Sequence, residues 1–266
     1  MTDAVRIIPQ STNLDSGDHT YPSRASSSGG VGTGSIWRGQ RVSYVVPILA
    51  TTTLSGIGES WSSTGTAAAG ALAATNVLTS TIRNTYTTSA VVNSQAGLAG
   101  LQGPWLGSSA GLGGFRVEID FAVVTTQTTM RIAVGIGYNG GAAISCTADP
   151  SAATDCIFMG CDAADTNMQI MHNDNSGTCT KIDLGASFPK TNNVFYRVVL
   201  EAAPNASAIT YEVTRFDSAA SASGTISTDY PLSSQFLLPT IRFGNGNTAS
   251  AAAGAFCRYL CEYVTP

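Results

Sequence analysis

FRVEIDFAV, residues 115–123, sets five apolar side chains, Phe115, Val117, Ile119, Phe121 and Val123, against polar Arg116, Glu118 and Asp120 at alternate positions. Successive side chains of an extended chain point to opposite faces, so this period of two predicts a strand with one face on a core. MRIAVGIG from Met130 repeats it with Ile132, Val134 and Ile136 on one face. MQIM from Met168, VFYRVVLEA from Val194, ITYEVTRF from Ile209, FLLPTIRF from Phe236 and FCRYLCEYV from Phe256 bring the strands expected beyond Gly111 to seven.

The connections carry turn chemistry. Asn139-Gly140-Gly141, Asn173 to Gly177, Pro204-Asn205 and Gly244-Asn245-Gly246 supply residues that tolerate left-handed backbone. Many strands, tight turns and no intervening amphipathic helix predict an all-β chain. Residues 111–266 are expected to form an antiparallel β-sandwich of the jelly-roll type.

Upstream the pattern weakens. Residues 1–35 are rich in Ser, Gly, Thr and Asp without apolar periodicity, which predicts an extended N-terminal arm that relies on a partner for order. Residues 36–110 hold short β-type runs such as RVSYVVPIL from Arg41 and read as a mixed anchoring and assembly segment. AAAGALAATNVL from Ala67 has the Ala and Leu content of a helix, interrupted by Gly and by Thr-Asn.

Charged residues make up 11% of the chain, against about 25% in ordinary globular proteins. A neutral exterior suits a subunit whose flanks are covered by sister copies; a hydroxyl-rich monomer surface is the alternative. Net charge is −4 with no cluster of Lys or Arg, which argues against nucleic acid, a ligand that demands a basic patch. MTDAVRIIPQ lacks the charged start and apolar run of a secretory signal, and no stretch reaches the ~20 apolar residues of a membrane span.

Six cysteines, Cys146, Cys156, Cys161, Cys179, Cys257 and Cys261, lie in the C-terminal half. The even count makes all six possible disulfide partners, with free buried thiols as the alternative. Matched pairs at zinc-ligand spacing are absent. Cys257 and Cys261 would share one strand face with Cα atoms ~13 Å apart, beyond the ~7 Å a disulfide spans, so their partners are expected in the Cys146 to Cys179 stretch or in another chain. That stretch, rich in Asp, Ala, Thr and Ser, resembles an insertion that cross-links would brace.

Catalytic chemistry has few candidates. His19 and His172 are the only histidines, and no GxSxG elbow accompanies them. Asp174 could orient His172, although MHNDNSG reads equally as a strand entering a turn. Glu118 and Asp120 share a strand face and would be the carboxylate pair of a glycosidase, or simply an exposed polar face. Asp155, Asp162, Asp165 and Asp174 offer oxygen ligands for calcium without an EF-hand pattern, and read as solvated loop residues. Trp37, Trp61 and Trp105 can serve as sugar platforms and more often fill cores or subunit contacts. The expectation is therefore no catalytic, cofactor or metal residue and no cofactor.

WLGSSAGLGGFRVEIDFAV from Trp105, MRIAVGIG, MQIMHNDNSG, the Asp183-Leu184-Gly185 step before SFPKT, ITYEVTR and LLPTIRFGNG follow one another along the C-terminal part of the chain. Together they resemble a recurring module of tailed-bacteriophage tail-fibre and virion-decoration proteins. The resemblance implies a jelly-roll head, usually trimeric, behind a segment that anchors it to capsid or tail. It implies a virion-surface subunit, made in the host cytoplasm and extracellular after lysis, that attaches to host-surface glycans. A cement protein that only clamps the shell is the alternative, and a glycan-degrading enzyme the third.

Overall fold

The computed structural model describes residues 40–58, 60–109 and 111–264. The expected arm over 1–35, His19 and Trp37 lie outside the described residues. Those described form sixteen strands and no α-helix: β1 (Gln40–Pro47), β2 (Leu54–Ile57), β3 (Trp61–Thr64), β4 (Thr66–Ala69), β5 (Asn84–Thr87), β6 (Gln95–Gly100), β7 (Phe115–Thr125), β8 (Arg131–Gly137), β9 (Cys156–Cys161), β10 (Gln169–Asn173), β11 (Thr180–Asp183), β12 (Val194–Ala202), β13 (Ile209–Arg215), β14 (Ala220–Ile226), β15 (Leu238–Gly244) and β16 (Ala253–Val264).

Two antiparallel sheets pack as a sandwich. One runs β14-β13-β12-β7-β16-β1-β2, with β5 also pairing β16 and β4 pairing β5. The other runs β11-β10-β9-β8-β15-β6-β3. The core between them takes the alternate residues that the period of two marks out, Phe115 to Val123 from β7 and Ile132, Val134 and Ile136 from β8. Phe121 meets Tyr196 at 5.6 Å and Phe243 at 6.5 Å, joining three strands through their rings. The expected turns take left-handed backbone at Gly140, Gly177, Asn205 and Gly246, with φ of 59°, 73°, 51° and 61°.

Two expectations are corrected, and the open reading of the Ala-rich run is decided. The boundary at residue 111 does not separate an anchoring segment from the sandwich, because β1, β2, β4 and β5 join one sheet and β3 and β6 the other. The Ala-rich run from Ala67 is not helical: it continues β4 and then turns through residues 70–83. Ten strands, not seven, follow Gly111, and the unforeseen ones are β9, β11 and β14.

Each sheet also carries a strap across part of its outer face. On the nine-stranded sheet, residues 70–83 drop Leu78 onto Ala122, Phe195, Ala255 and Cys257, while Arg83 donates to the carbonyls of Leu78, Thr81 and Ala71 and holds the strap closed. On the seven-stranded sheet, residues 138–155 lay Ile144, Cys146 and Ala153 against Ala133, Phe158 and Met171. Small outward residues make room for this second strap. A Cβ on Gly244 would stand 2.3 Å from the Cys146 carbonyl oxygen, and one on Gly137 2.7 Å from Cys156 Cβ. The stretch read as a poorly cored insertion thus builds a core of its own.

β16 is bulged. Phe256 pairs with Phe121 and Arg258 with Asp120, which leaves Cys257 without a partner residue on β7. The extra residue places Cys257 under the 70–83 strap and Cys261 in the core between the sheets, so the two do not share a face as an unbroken strand would require.

Candidate functional site

Where loops from both sheets meet at one end of the sandwich, an open groove of about 430 Å³ forms. The β12–β13 turn contributes Asn205 and Ser207, the β14–β15 connection Asp229, Tyr230 and Ser233, and the β10–β11 turn Asp174. The loops are fastened to one another rather than hanging free. Asn205 N–H donates to Leu106 O at 3.0 Å and Gly107 N–H to Ser233 O at 2.9 Å. Asp229 accepts from Asp174 N–H at 3.0 Å and from the Thr180 hydroxyl. Asn205 and Asp229 both hold φ of 51°, a conformation that Asn and Asp bear at lower cost than other non-glycine residues.

His172 and Asp155 brace the floor of this end. The Asp229 carbonyl can only accept, so His172 Nδ1, 2.7 Å away, carries the proton. Asp174 does not orient His172; the nearest carboxylate oxygen is Asp229 Oδ2 at 3.9 Å. Asp155, 3% exposed with φ of 47°, accepts Leu232 N–H at 3.1 Å. Burial pushes its carboxyl above the usual carboxylate range, the Leu232 N–H opposes that, and the charge of Asp174 adds to it.

The groove therefore offers carboxylates, an amide, hydroxyls and one phenol ring. That set matches a neutral, hydroxyl-rich ligand. Asp174 and Asn205 stood out in the sequence as turn residues. Asp229, Tyr230 and Ser233 did not, and the only local signal they offer is the turn-forming run around Pro231.

The other candidates are placed elsewhere. Glu118 and Asp120 lie on the outer face of the nine-stranded sheet, and the expectation of an exposed polar face is corrected: they are 5% and 6% exposed. Arg197 grips Asp120 through Nε at 2.7 Å and Nη2 at 2.9 Å, and Arg258 adds Nε at 3.0 Å and a further bond to Glu118. Arg197 in turn lies 5.0 Å over the Phe216 ring. Both carboxylates are committed to arginines, and His172 belongs to the opposite sheet, so the three do not converge.

Asp162 and Asp165 are not solvated either, since Lys181 Nζ bridges them at 2.6 Å and 2.9 Å. Among the described residues no three His, Cys, Asp or Glu side chains converge as metal ligands. Trp61 packs edge-on to Tyr259 inside the sandwich, and Trp105 stacks on Phe236 at 5.7 Å. All six cysteines are buried, and the structure draws no S–S bond between them. Burial pushes the Cys161 thiol up to about 12 and raises the thiols of Cys146, Cys156 and Cys257 above their ordinary value as well. Only Cys156 and Cys179 bring their sulfurs together, at 3.5 Å.

No protein-family model matches the chain, and no curated protein matches its sequence. Solved structures do. The fold is similar to that of the legume lectins. Winged bean acidic lectin, solved with methyl-α-D-galactose, aligns with a TM-score of 0.53 at 10% identity over 85% of this chain and 98% of its own. Peanut lectin, solved with a nine-residue peptide, aligns at 0.52 and 11% over 85% and 97%. A protein of unknown function from Shewanella oneidensis MR-1 aligns at 0.55 and 11% over 100% of this chain and 97% of its own. At these identities the likeness is one of fold.

Proposed function

We propose that the chain is a non-catalytic surface subunit of a tailed-bacteriophage virion, assembled as a trimer, whose sandwich attaches the particle to glycans on the host cell. The observation that carries this reading is the polar groove at the loop end of a lectin-like sandwich, whose side chains suit sugar hydroxyls. An open groove of this size grips a monosaccharide weakly. Three copies per trimer and many trimers per particle raise the effective concentration, so weak sites suffice. The low charge content supports contact with sister copies, and the order of motifs from Trp105 onward supports the virion setting.

The test is retention of the full-length chain on immobilised saccharides, galactosides first, together with its mass by sedimentation. Binding by a trimer is expected, and Asn205→Gly combined with Asp174→Asn, which keep the backbone shapes, should lower it about tenfold or more. A monomer that holds no saccharide overturns the reading. Retention untouched by the double variant removes the groove from it, and cleavage of the saccharide moves the chain to the enzyme class.

A further inference from the structure

Among the described residues Phe236 is the only aromatic ring that stands exposed, at 42%; the others are buried or half-buried. A single exposed leucine or valine is ordinary. A phenyl ring left open to water forgoes a large apolar burial, and such rings recur as anchors of binding surfaces.

The ring is firmly held. Trp105, 7% exposed, stacks on one face of it with centroids 5.7 Å apart and planes 22° apart, so the open area lies on the opposite face and the ring edge. The two residues pair across a short ladder outside the named strands. Leu237 N–H donates to Pro104 O at 2.7 Å, and Gln235 N–H to Leu232 O at 3.1 Å closes the turn that leads into Phe236. The segments press so closely that a Cβ on Gly103 would stand 1.8 Å from the Leu237 carbonyl oxygen. A ring fixed in this way offers a flat surface with little left to order on binding.

The same ladder runs into the loop-end groove. Leu106, next to Trp105, lines the groove, as do Leu232 and Ser233 from the turn before Phe236. Gly107, whose N–H is bonded to Ser233 O, lies two residues from Trp105, about 7 Å along an extended chain. Residues 101–109 and 231–238 contain no charged side chain. The polar groove is therefore continued by a flat, uncharged, apolar platform.

We infer that Phe236 carries a second sugar ring, so that the preferred ligand is a neutral oligosaccharide rather than a single sugar. A pyranose has an edge of hydroxyls and a flatter face of C–H groups. The edge suits the Asp174, Asn205 and Ser233 side chains of the groove, and the face of the next ring suits the phenyl. The inference rests on the glycan-binding reading of the groove and names the class of glycan it takes.

The experiment is calorimetric titration of the full-length chain with galactose, galactobiose and galactotetraose, repeated with Phe236→Ala and Phe236→Tyr, together with the sedimentation mass of each protein. Galactotetraose should bind about tenfold or more tighter than galactose. Its heat-capacity change on binding should be the more negative, the mark of apolar surface leaving water. Both differences should largely vanish in Phe236→Ala and persist in Phe236→Tyr, which keeps the ring. Galactose that binds while the longer sugars gain nothing, or a gain that survives in Phe236→Ala, overturns the platform and leaves the groove standing. Failure of all three sugars to bind overturns both. A fall in sedimentation mass in Phe236→Ala assigns the ring to a contact between sister copies and also overturns the inference.

Discussion

The sulfurs of Cys156 and Cys179 face each other at 3.5 Å beneath the strap of the seven-stranded sheet, one opening β9 and the other leading into β11. They are 23 residues apart in sequence, and each also lies near the Ala153 carbonyl. Incubation with glutathione disulfide should convert this pair, and no other, to a disulfide. The two thiols lose two protons and two electrons, and one glutathione disulfide is reduced to two glutathione molecules. Peptide mapping after alkylation in denaturant should find a Cys156–Cys179 link and four modified cysteines, with a gain of about 3 kcal/mol in stability. Six modified cysteines after prolonged oxidation would remove the prediction.

Asp120 holds two arginines from two neighbouring strands. Asp120→Ala would leave Arg197 and Arg258 sharing only Glu118. Taking away one member of a buried ionic group strands the charge of the others, so a loss of about 3 kcal/mol is expected in urea denaturation. Asp120→Asn should cost less, because it keeps an acceptor. A loss below about 1 kcal/mol for the Ala variant would show that the network is screened like a surface pair.

Asp155 sets a pH dependence. Its folded-state pKa lies above its unfolded value, so its contribution is fully present below the unfolded value, near 3.8, and is lost as pH rises through the raised folded value. Asp155→Asn keeps the acceptor for Leu232 N–H and the left-handed backbone while removing the charge. Relative to the variant, the parent should therefore become less stable as pH climbs from about 4 toward neutrality. Parallel stability curves for the two proteins across that range would refute the assignment.

How much of this was legible in the sequence differs from element to element. The β7 pattern announced both the strand and its core face, because alternation is a local property. It did not announce that Glu118 and Asp120 are covered, since their arginines arrive from 77 and 138 residues away. CIFMGC in β9 carries no alternation because the sandwich core takes one face and the strap the other, so it merged with its loop-like flanks. ASASGTI in β14 is an edge strand of small residues, where little apolar burial marks the period. The short strands from β2 to β5 show no visible period for the same reason, and their sequence reads as a mixed segment. In the groove, Asn205 declared itself by its turn, whereas Asp229 and Tyr230 gain meaning only when the β14–β15 connection folds back beside the β10–β11 turn.

The unmatched Cys257 marks a watershed on the nine-stranded sheet. On one side of it the outer surface is greasy, with Ala122, Phe195 and Ala255 receiving Leu78; on the other it is ionic, from Arg258 to Glu118. Phe256 and Tyr259 both face the core although two residues lie between them, so a chain shortened by one of these would keep every later side chain on its proper side. What it would lose is the filling beneath Leu78. The supernumerary cysteine thus serves as a shim that seats the strap rather than as part of the strand's own pairing.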